Sequence, residues 1–549
     1  MQIRFVQIAI VLVAARVASA TCMDPRLHLA TKTPYAHRAL IPGAPSIHAI
    51  PDPPGYEAHH IWLLARHGTR WPTLQRMQQI NSVASTLQDA RNTSAFPWIH
   101  DWRSPVASMA DAGGELHDIG EEELWSLGQR WKRRFPALAS RPYLPKHFPI
   151  ISTQVPRAAA SASAFAAGFF PDRLRFNKME SAASNAGSTA QAGSSELDNL
   201  VMGMTPRAPQ GGLQQALRPR SVALTMAPKK ADPLLRPFEM CSAYAQHEEY
   251  VEKWLGGWMA EQWQGMTADL EEKLQMNRRM RACEVEALWQ LCLFEAGLED
   301  DTSRACALFQ PEQVELLEWL DDVDLLESHS WGARINYAIA GPLLAHMRSA
   351  LQSAADSKHI KKPAHLLFAH CETLVPLATL LGLFKPELAL PPSAAHPPNS
   401  SALAVVAPEA EARRLLSRAD VVSDIGLQLR PQAALASGPA PQSCHKTGQP
   451  PSGLQPPGGW YPCTPFNATR LFKGSRVSPY AANLAVVLYR AVGGVHGRAS
   501  DHTVRLVYNE QVVPIPGCGD GEGGLDCNLD QFLAITAAQA DEGVLNVSC

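Results

Sequence analysis

The 549-residue sequence is short of charge, of aromatics and of long apolar runs. Charged residues make up 18% and aromatics 7%, and 49 Lys+Arg stand against 52 Asp+Glu for a net charge of −3. So small a charge excludes a strongly basic nucleic-acid binder, and 46% hydrophobic residues exclude a highly charged disordered chain. Beyond residue 20 no segment offers ~18 apolar residues without a charge or histidine, so none reads as a membrane span. Gly 36 and Pro 44 are too few for collagen or for low complexity throughout. The eleven cysteines contain no Cys-x-x-Cys, which argues against a zinc ribbon or a thioredoxin-type motif. No internal repeat stands out.

What is present begins with a targeting signal. Arg4, the apolar Phe5 to Ala15 and the small-residue Ala18-Ser19-Ala20 read as a secretory signal peptide over residues 1–20. Losing it removes Arg4 and Arg16 and takes the net charge from −3 to −5. The expected destination is extracellular, a cell wall or a lytic compartment, with no KDEL-type retention signal. No membrane association is expected after cleavage. Eleven cysteines suit an oxidising compartment, and Cys518 and Cys527, flanking a Gly-rich turn, are the expected disulfide. Asn92, Asn399, Asn467 and Asn546 open glycosylation tripeptides.

Strand-like and helix-like stretches alternate, which predicts an α/β fold with a helical insert. Residues 21–180 form the first part of an α/β core, with a strand at His60 to Ala65 and a helix after Thr73. Residues 181–230 are rich in Ala, Ser, Gly and Gln and read as an insertion. Residues 231–355 turn helical, with Trp254, Trp258, Leu270, Leu274, Leu288, Leu291 and Leu316 spaced for a buried face. The core resumes over 356–385 and 465–549, with strands at His365 to Ala369, Ala485 to Tyr489 and Val504 to Tyr508. Between them, 386–464 is a Pro/Ala/Ser-rich insertion.

The chemistry sits where two strands run into helices. Arg66-His67-Gly68-Thr69-Arg70-Trp71-Pro72-Thr73 leaves the first strand and enters a helix. Ligands bind at the C-terminal ends of strands in such sheets, and helix starts favour anions. Guanidinium forks match phosphate oxygens, and a neutral imidazole nitrogen is a nucleophile. The string therefore reads as a phosphate pocket around His67, against the plainer reading of a structural histidine beside two solvated arginines. His370-Cys371-Glu372 repeats the strand–turn–helix context. Glu372 could protonate a leaving alkoxide if its pKa is raised toward the working pH.

RHGTRWPT resembles the R-H-G-x-R-x-P signature of the histidine acid phosphatases, branch 2 of the histidine phosphatase superfamily. HCETLVPL resembles the H-A-E-T-L-x-P-L segment of the multiple inositol polyphosphate phosphatase and phytase branch. Thr31 to Tyr35, Thr153 to Gly168 and Phe472 to Leu484 resemble that branch too. The resemblance implies a mixed, mainly parallel sheet flanked by helices, with a helical cap. It implies His67 as nucleophile and Glu372 as proton donor. Arg66, Arg70, Arg157 and His370 would bind phosphate, with Thr73 orienting the pocket. It implies a polyanionic small-molecule phosphate substrate, no metal, no cofactor and no nucleic acid. Lys229, Lys230, Arg236, Lys473 and Arg476 are candidates for a basic rim, with Arg236 and Lys473 favoured. Cys371 replaces the family's alanine, as packing or as a reactive thiol. A broad-specificity acid phosphatase, a mutase-like phosphotransferase and a non-catalytic binding protein are the alternatives, and the signal peptide counts against the mutase.

Overall fold

The run expected as the first strand lies inside β1, Tyr56–Arg66, in a computed structural model that describes residues 23–40, 51–170, 222–357, 359–385, 472–493, 501–519, 524–537 and 549. The signal peptide, Cys22, most of 181–230, the 386–464 segment and Asn399, Asn467 and Asn546 lie outside the described residues. The described residues belong to one unit, Met1–Pro386 with Gly453–Cys549; the other, Glu387–Ser452, lies outside them.

After β1 come α1 (Leu74–Gln88), α2 (Asp118–Arg134), β2 (Ile150–Ser152), α3 (Pro156–Phe169) and β3 (Leu224–Thr225). The helical stretch supplies α4 (Ser242–Leu274), α5 (Ala282–Phe294), α6 (Pro311–His329) and α7 (Gly341–Ala355). Then follow β4 (Ala364–Ala369), α8 (Cys371–Leu380), β5 (Asn483–Ala491), β6 (His502–Tyr508), β7 (Gln511–Val513), β8 (Cys527–Asn528) and α9 (Leu529–Ile535). The sheet order is β3-β2-β4-β1-β5-β6-β7, with β8 on β6. The sheet is mixed, as expected, but its parallel character occupies one half. β1, β2, β3 and β4 pair in parallel, while β5 to β8 pair antiparallel. The parallel strands reach one another through helices, which cover both faces of that half.

Alternation along β1 divides the core. Ile61, Leu63 and Ala65 pack with Leu124, Leu127 and Phe165 of α2 and α3. Trp62 and Leu64 pack on the other face with Leu344, Met347 and Leu374 of α7 and α8. A separate cluster holds α1, α4, α5 and α6 together, and Trp254, Leu270, Leu274, Leu288 and Leu291 lie inside it as their spacing predicts. Leu316 packs on its margin, and the Trp258 side chain lies outside the described residues.

Disulfides join Cys518 to Cys527, Cys292 to Cys306 and Cys241 to Cys549. Cys283 and Cys371 are unpaired. Among the described residues no helix is long and apolar enough to cross a membrane.

Candidate active site

β1 and β4 are parallel neighbours in register, Arg66 beside Ala369. Their C-terminal ends therefore deliver His67 and His370 to the same edge of the sheet. The two rings lie 5.5 Å apart, edge to face, and both side chains are buried. His67 N donates to Ala369 O at 3.0 Å, which fixes one turn against the other.

The tautomer of His67 follows from one contact. Its Nδ1 lies 2.9 Å from Gly68 O, and a carbonyl oxygen can only accept. Nδ1 therefore carries the proton, and Nε2 keeps its lone pair. Burial, followed by the charges of Arg66, Arg157 and Arg70, holds the imidazole pKa well below its usual value. The ring stays neutral and nucleophilic in acid.

The turn is shaped by close backbone contact. A Cβ on Gly68 would lie 2.4 Å from Gly120 O of α2, so only glycine fits there. Gly68 N donates to Ser161 Oγ of α3 at 3.1 Å. Thr69 is fully buried, and its N–H and hydroxyl both donate to Glu123.

The three expected arginines converge. Arg66 donates through Nη1 to Thr31 O at 2.7 Å and Ser478 O at 2.5 Å, and its guanidinium lies 4.7 Å from the Tyr480 ring centroid. Arg70 donates to Trp71 O at 2.9 Å. Arg157, in the first turn of α3, reaches Gly114 O at 3.4 Å. Burial and then the nearby Arg70 charge lower the Arg157 pKa to about 10, offset only in part by the Glu372 carboxylate. His370 shares a hydrogen bond of 2.9 Å between Nε2 and Thr153 Oγ1, while its Nδ1 is buried with no partner. Burial lowers its pKa to about 3.

Glu372 reverses one expectation. Burial raises its pKa, but the charges of His329 and His370, its own backbone N–H and Arg66 overcome that and bring it to about 2. The sequence reading required a raised value. It overlooked His329, at the end of α6, whose Nδ1 is 2.6 Å from Tyr244 Oη.

Three further expectations shift. Thr73 is exposed, and its Oγ1 accepts from Arg76 N at 3.4 Å, so it caps α1 and does not orient the pocket. Lys473 forms an ion pair of 3.5 Å with buried Glu318, which His28 also contacts at 2.8 Å, so it is no open rim cation. Arg236 is buried, stacked on Phe238 and paired with Glu239, yet its charge is felt at His370. The Cys371 thiol is buried, and burial pushes its pKa up to about 11, which fits packing and not a reactive thiolate.

The family model of the histidine phosphatase superfamily (branch 2) matches residues 59–410. Multiple inositol polyphosphate phosphatase 1 of Drosophila melanogaster is 21% identical over 359 residues, covering 61% of this chain and 65% of the relative. The chain thus spans just under two thirds of the length of the curated relatives it matches. The crystal structure of the phytase from D. castellii superposes with a TM-score of 0.60 at 15% identity, covering 94% of this chain and 85% of that one. The Bifidobacterium longum multiple inositol polyphosphate phosphatase, in complex with inositol hexasulfate, gives 0.53 at 15% identity, covering 95% and 100%. At such identities these structures establish the fold alone.

Proposed function

This chain belongs to branch 2 of the histidine phosphatase superfamily, and on that premise we propose that it hydrolyses inositol polyphosphates, phytate among them, through a phosphohistidine on His67. The observation that carries the reading is the neutral, Nδ1-protonated His67 with its Nε2 lone pair amid Arg66, Arg70, Arg157 and His370.

His67 Nε2 attacks phosphorus in line as the P–O bond to the inositol carbon's oxygen breaks. The arginines and His370 stabilise the charge on the three non-bridging oxygens. Glu372 gives its proton to the departing alkoxide. Water, deprotonated by Glu372, then attacks phosphorus, breaks the P–N bond and releases phosphate with His67 restored. Glu372 must be protonated for the first step. A phosphomonoester dianion would offset the His329, His370 and Arg66 charges that hold the carboxyl at about 2, and so raise its pKa on binding. The substrate would charge its own general acid.

The inositol polyphosphate assignment is supported by the names of the relatives and by exposed Lys230; Lys229, also exposed, lies 3.9 Å from Glu239. The tying of Lys473 to Glu318 and of Arg236 to Glu239 favours a second reading, a phosphatase with broad monoester specificity. Secretion is also proposed, supported by residues 1–20 and by three disulfides among the described residues.

The test is phosphate release from phytate and from p-nitrophenyl phosphate across pH 3–8 with chelator, for wild type and His67→Ala. Strong His67-dependent release from phytate with weak aryl-phosphate turnover is the expected result. The reverse preference moves the assignment to a broad acid phosphatase. Inactivity of folded protein on both overturns the enzymatic reading.

A further inference from the structure

Glu121, Glu122 and Glu123 stand side by side on α2, but only Glu123 is buried. Its Oε1 accepts from Tyr35 N at 2.6 Å and from Thr69 Oγ1 at 2.9 Å. Its Oε2 accepts from Thr69 N at 2.7 Å. Three donors, two of them backbone N–H groups, thus converge on one carboxyl group. Burial raises its pKa to about 7 against the lowering by those hydrogen bonds, and above that pH an acceptor-only carboxylate receives all three. Thr69 lies between His67 and Arg70, and its own carbonyl accepts from His117 N at 2.9 Å. Tyr35 belongs to the N-terminal segment that also presents Thr31 O to Arg66. We propose that Glu123 is a positioning residue for phosphoryl transfer, holding His67 and Arg70 through Thr69, and Arg66 through the Tyr35 segment.

The proposal rests on the phosphohistidine reading. Glu123 touches no reacting atom and acts only through the groups it holds. Its chemistry makes a sharp demand. A glutamine of the same shape has one acceptor oxygen and one NH2. Whichever way that amide turns, its NH2 faces a backbone N–H, either of Thr69 or of Tyr35. A buried N–H is then left without an acceptor, and the turn must move to relieve it. Aspartate keeps the carboxylate but is one methylene too short to meet all three donors.

The experiment compares full-length wild type with Glu123→Gln, Glu123→Asp and, as a surface-charge control, Glu122→Gln. Turnover of p-nitrophenyl phosphate, affinity for inorganic phosphate by calorimetry and amide hydrogen exchange at Gly68 to Arg70 are read together at pH 8, above the raised pKa of Glu123. Glu123→Gln is expected to lower kcat/KM about 10- to 100-fold, mostly in kcat, as a displaced reacting group does. It should weaken inorganic phosphate about tenfold and speed exchange at Thr69. Glu123→Asp should recover part of kcat, and Glu122→Gln should match wild type. A role in stability alone would lower Tm and leave kcat and phosphate affinity unchanged well below it; that result overturns the proposal. Should Glu123→Gln not fold, Thr69→Val removes only the hydroxyl donor, and wild-type kcat in that variant is equally fatal. If wild type shows no His67-dependent turnover, the phosphohistidine reading fails by itself. Positioning is then judged by exchange at Thr69: acceleration in Glu123→Gln sustains it, and no change ends it.

Discussion

β1 and β4 carry a pair of facing histidines at each end. At the C-terminal ends His67 and His370 lie 5.5 Å apart at 64°, and nearer the other end His60 and His365 lie 5.1 Å apart at 66°. All four are buried, and burial lowers all four pKa values. The pairs differ in what their nitrogens are left to do. His60 Nδ1 donates to Lys362 O at 2.6 Å, so its Nε2 accepts from His365 Nδ1 at 3.2 Å, and both nitrogens of His60 are spoken for. The nearby His346 accepts from Trp62 Nε1 at 3.1 Å. At the pocket end His67 Nε2 keeps its lone pair, His370 Nδ1 has no partner, and three arginines supply a cationic field. Burial makes a histidine neutral; an unspent nitrogen beside guanidinium groups makes it a nucleophile.

The largest test of that contrast is His67→Ala beside His365→Gln. The first should cut turnover ~10⁴-fold or more and abolish the acid-labile phosphoenzyme seen by rapid quench. The second should leave kcat within about twofold, because it sits at the wrong end of the strands. Next is Glu372→Gln, expected to slow phytate hydrolysis about 10²- to 10⁴-fold; with p-nitrophenyl phosphate, whose leaving group needs little protonation, the first burst of p-nitrophenol should persist while the water step that follows slows. Wild-type phytate turnover in that variant would remove Glu372 from its role. Arg157→Ala should cost about 10²-fold in kcat, with inorganic phosphate binding weakened in parallel.

The smallest effect concerns stability. His60 and His365 titrate near 4 and 2 in the fold, below the ~6.5 of an unfolded chain. Between those limits the unfolded state binds more protons, so stability falls as pH drops below ~6.5. Each histidine steepens that fall by about 1.4 kcal/mol per pH unit until its folded pKa is reached. Denaturant unfolding of His365→Gln between pH 6.5 and 4 should therefore show a shallower slope than wild type. An unchanged slope would mean that the pair is charged or water-exposed.

Much of the site was legible because its chemistry is contiguous. Arg66, His67, Arg70, His370 and Glu372 fall in two short strings at strand ends, and parallel pairing of β1 with β4 does the rest. Arg157 was legible only through resemblance. Glu123 was hidden inside three glutamates, because which of them faces inward depends on how α2 docks against the Gly68 turn. Tyr480 and Thr153 lay in quoted segments without a role, since their partners Arg66 and His370 come from other strands. The sign of the Glu372 shift was missed for the same reason, as His329 comes from another helix. Thr73 and Lys473 misled by nearness in sequence: a helix needed one as its cap, and a buried carboxylate took the other. The strands β5 and β6 were legible but their antiparallel direction was not, because a run such as Ala485 to Tyr489 carries no direction.

The bond between Cys241 and Cys549 spans 308 residues of sequence and begins one residue before α4. It turns that length into a covalent ring that contains α4 to α9, Glu372 included. A single cut anywhere in the ring opens it without releasing a fragment, so a nicked molecule keeps the mass of an intact one until reductant is added. In the chain-entropy account a ring of this size would disfavour the unfolded state by about 5–6 kcal/mol. A clipped preparation would therefore look whole on a non-reducing gel and fall into pieces on a reducing one.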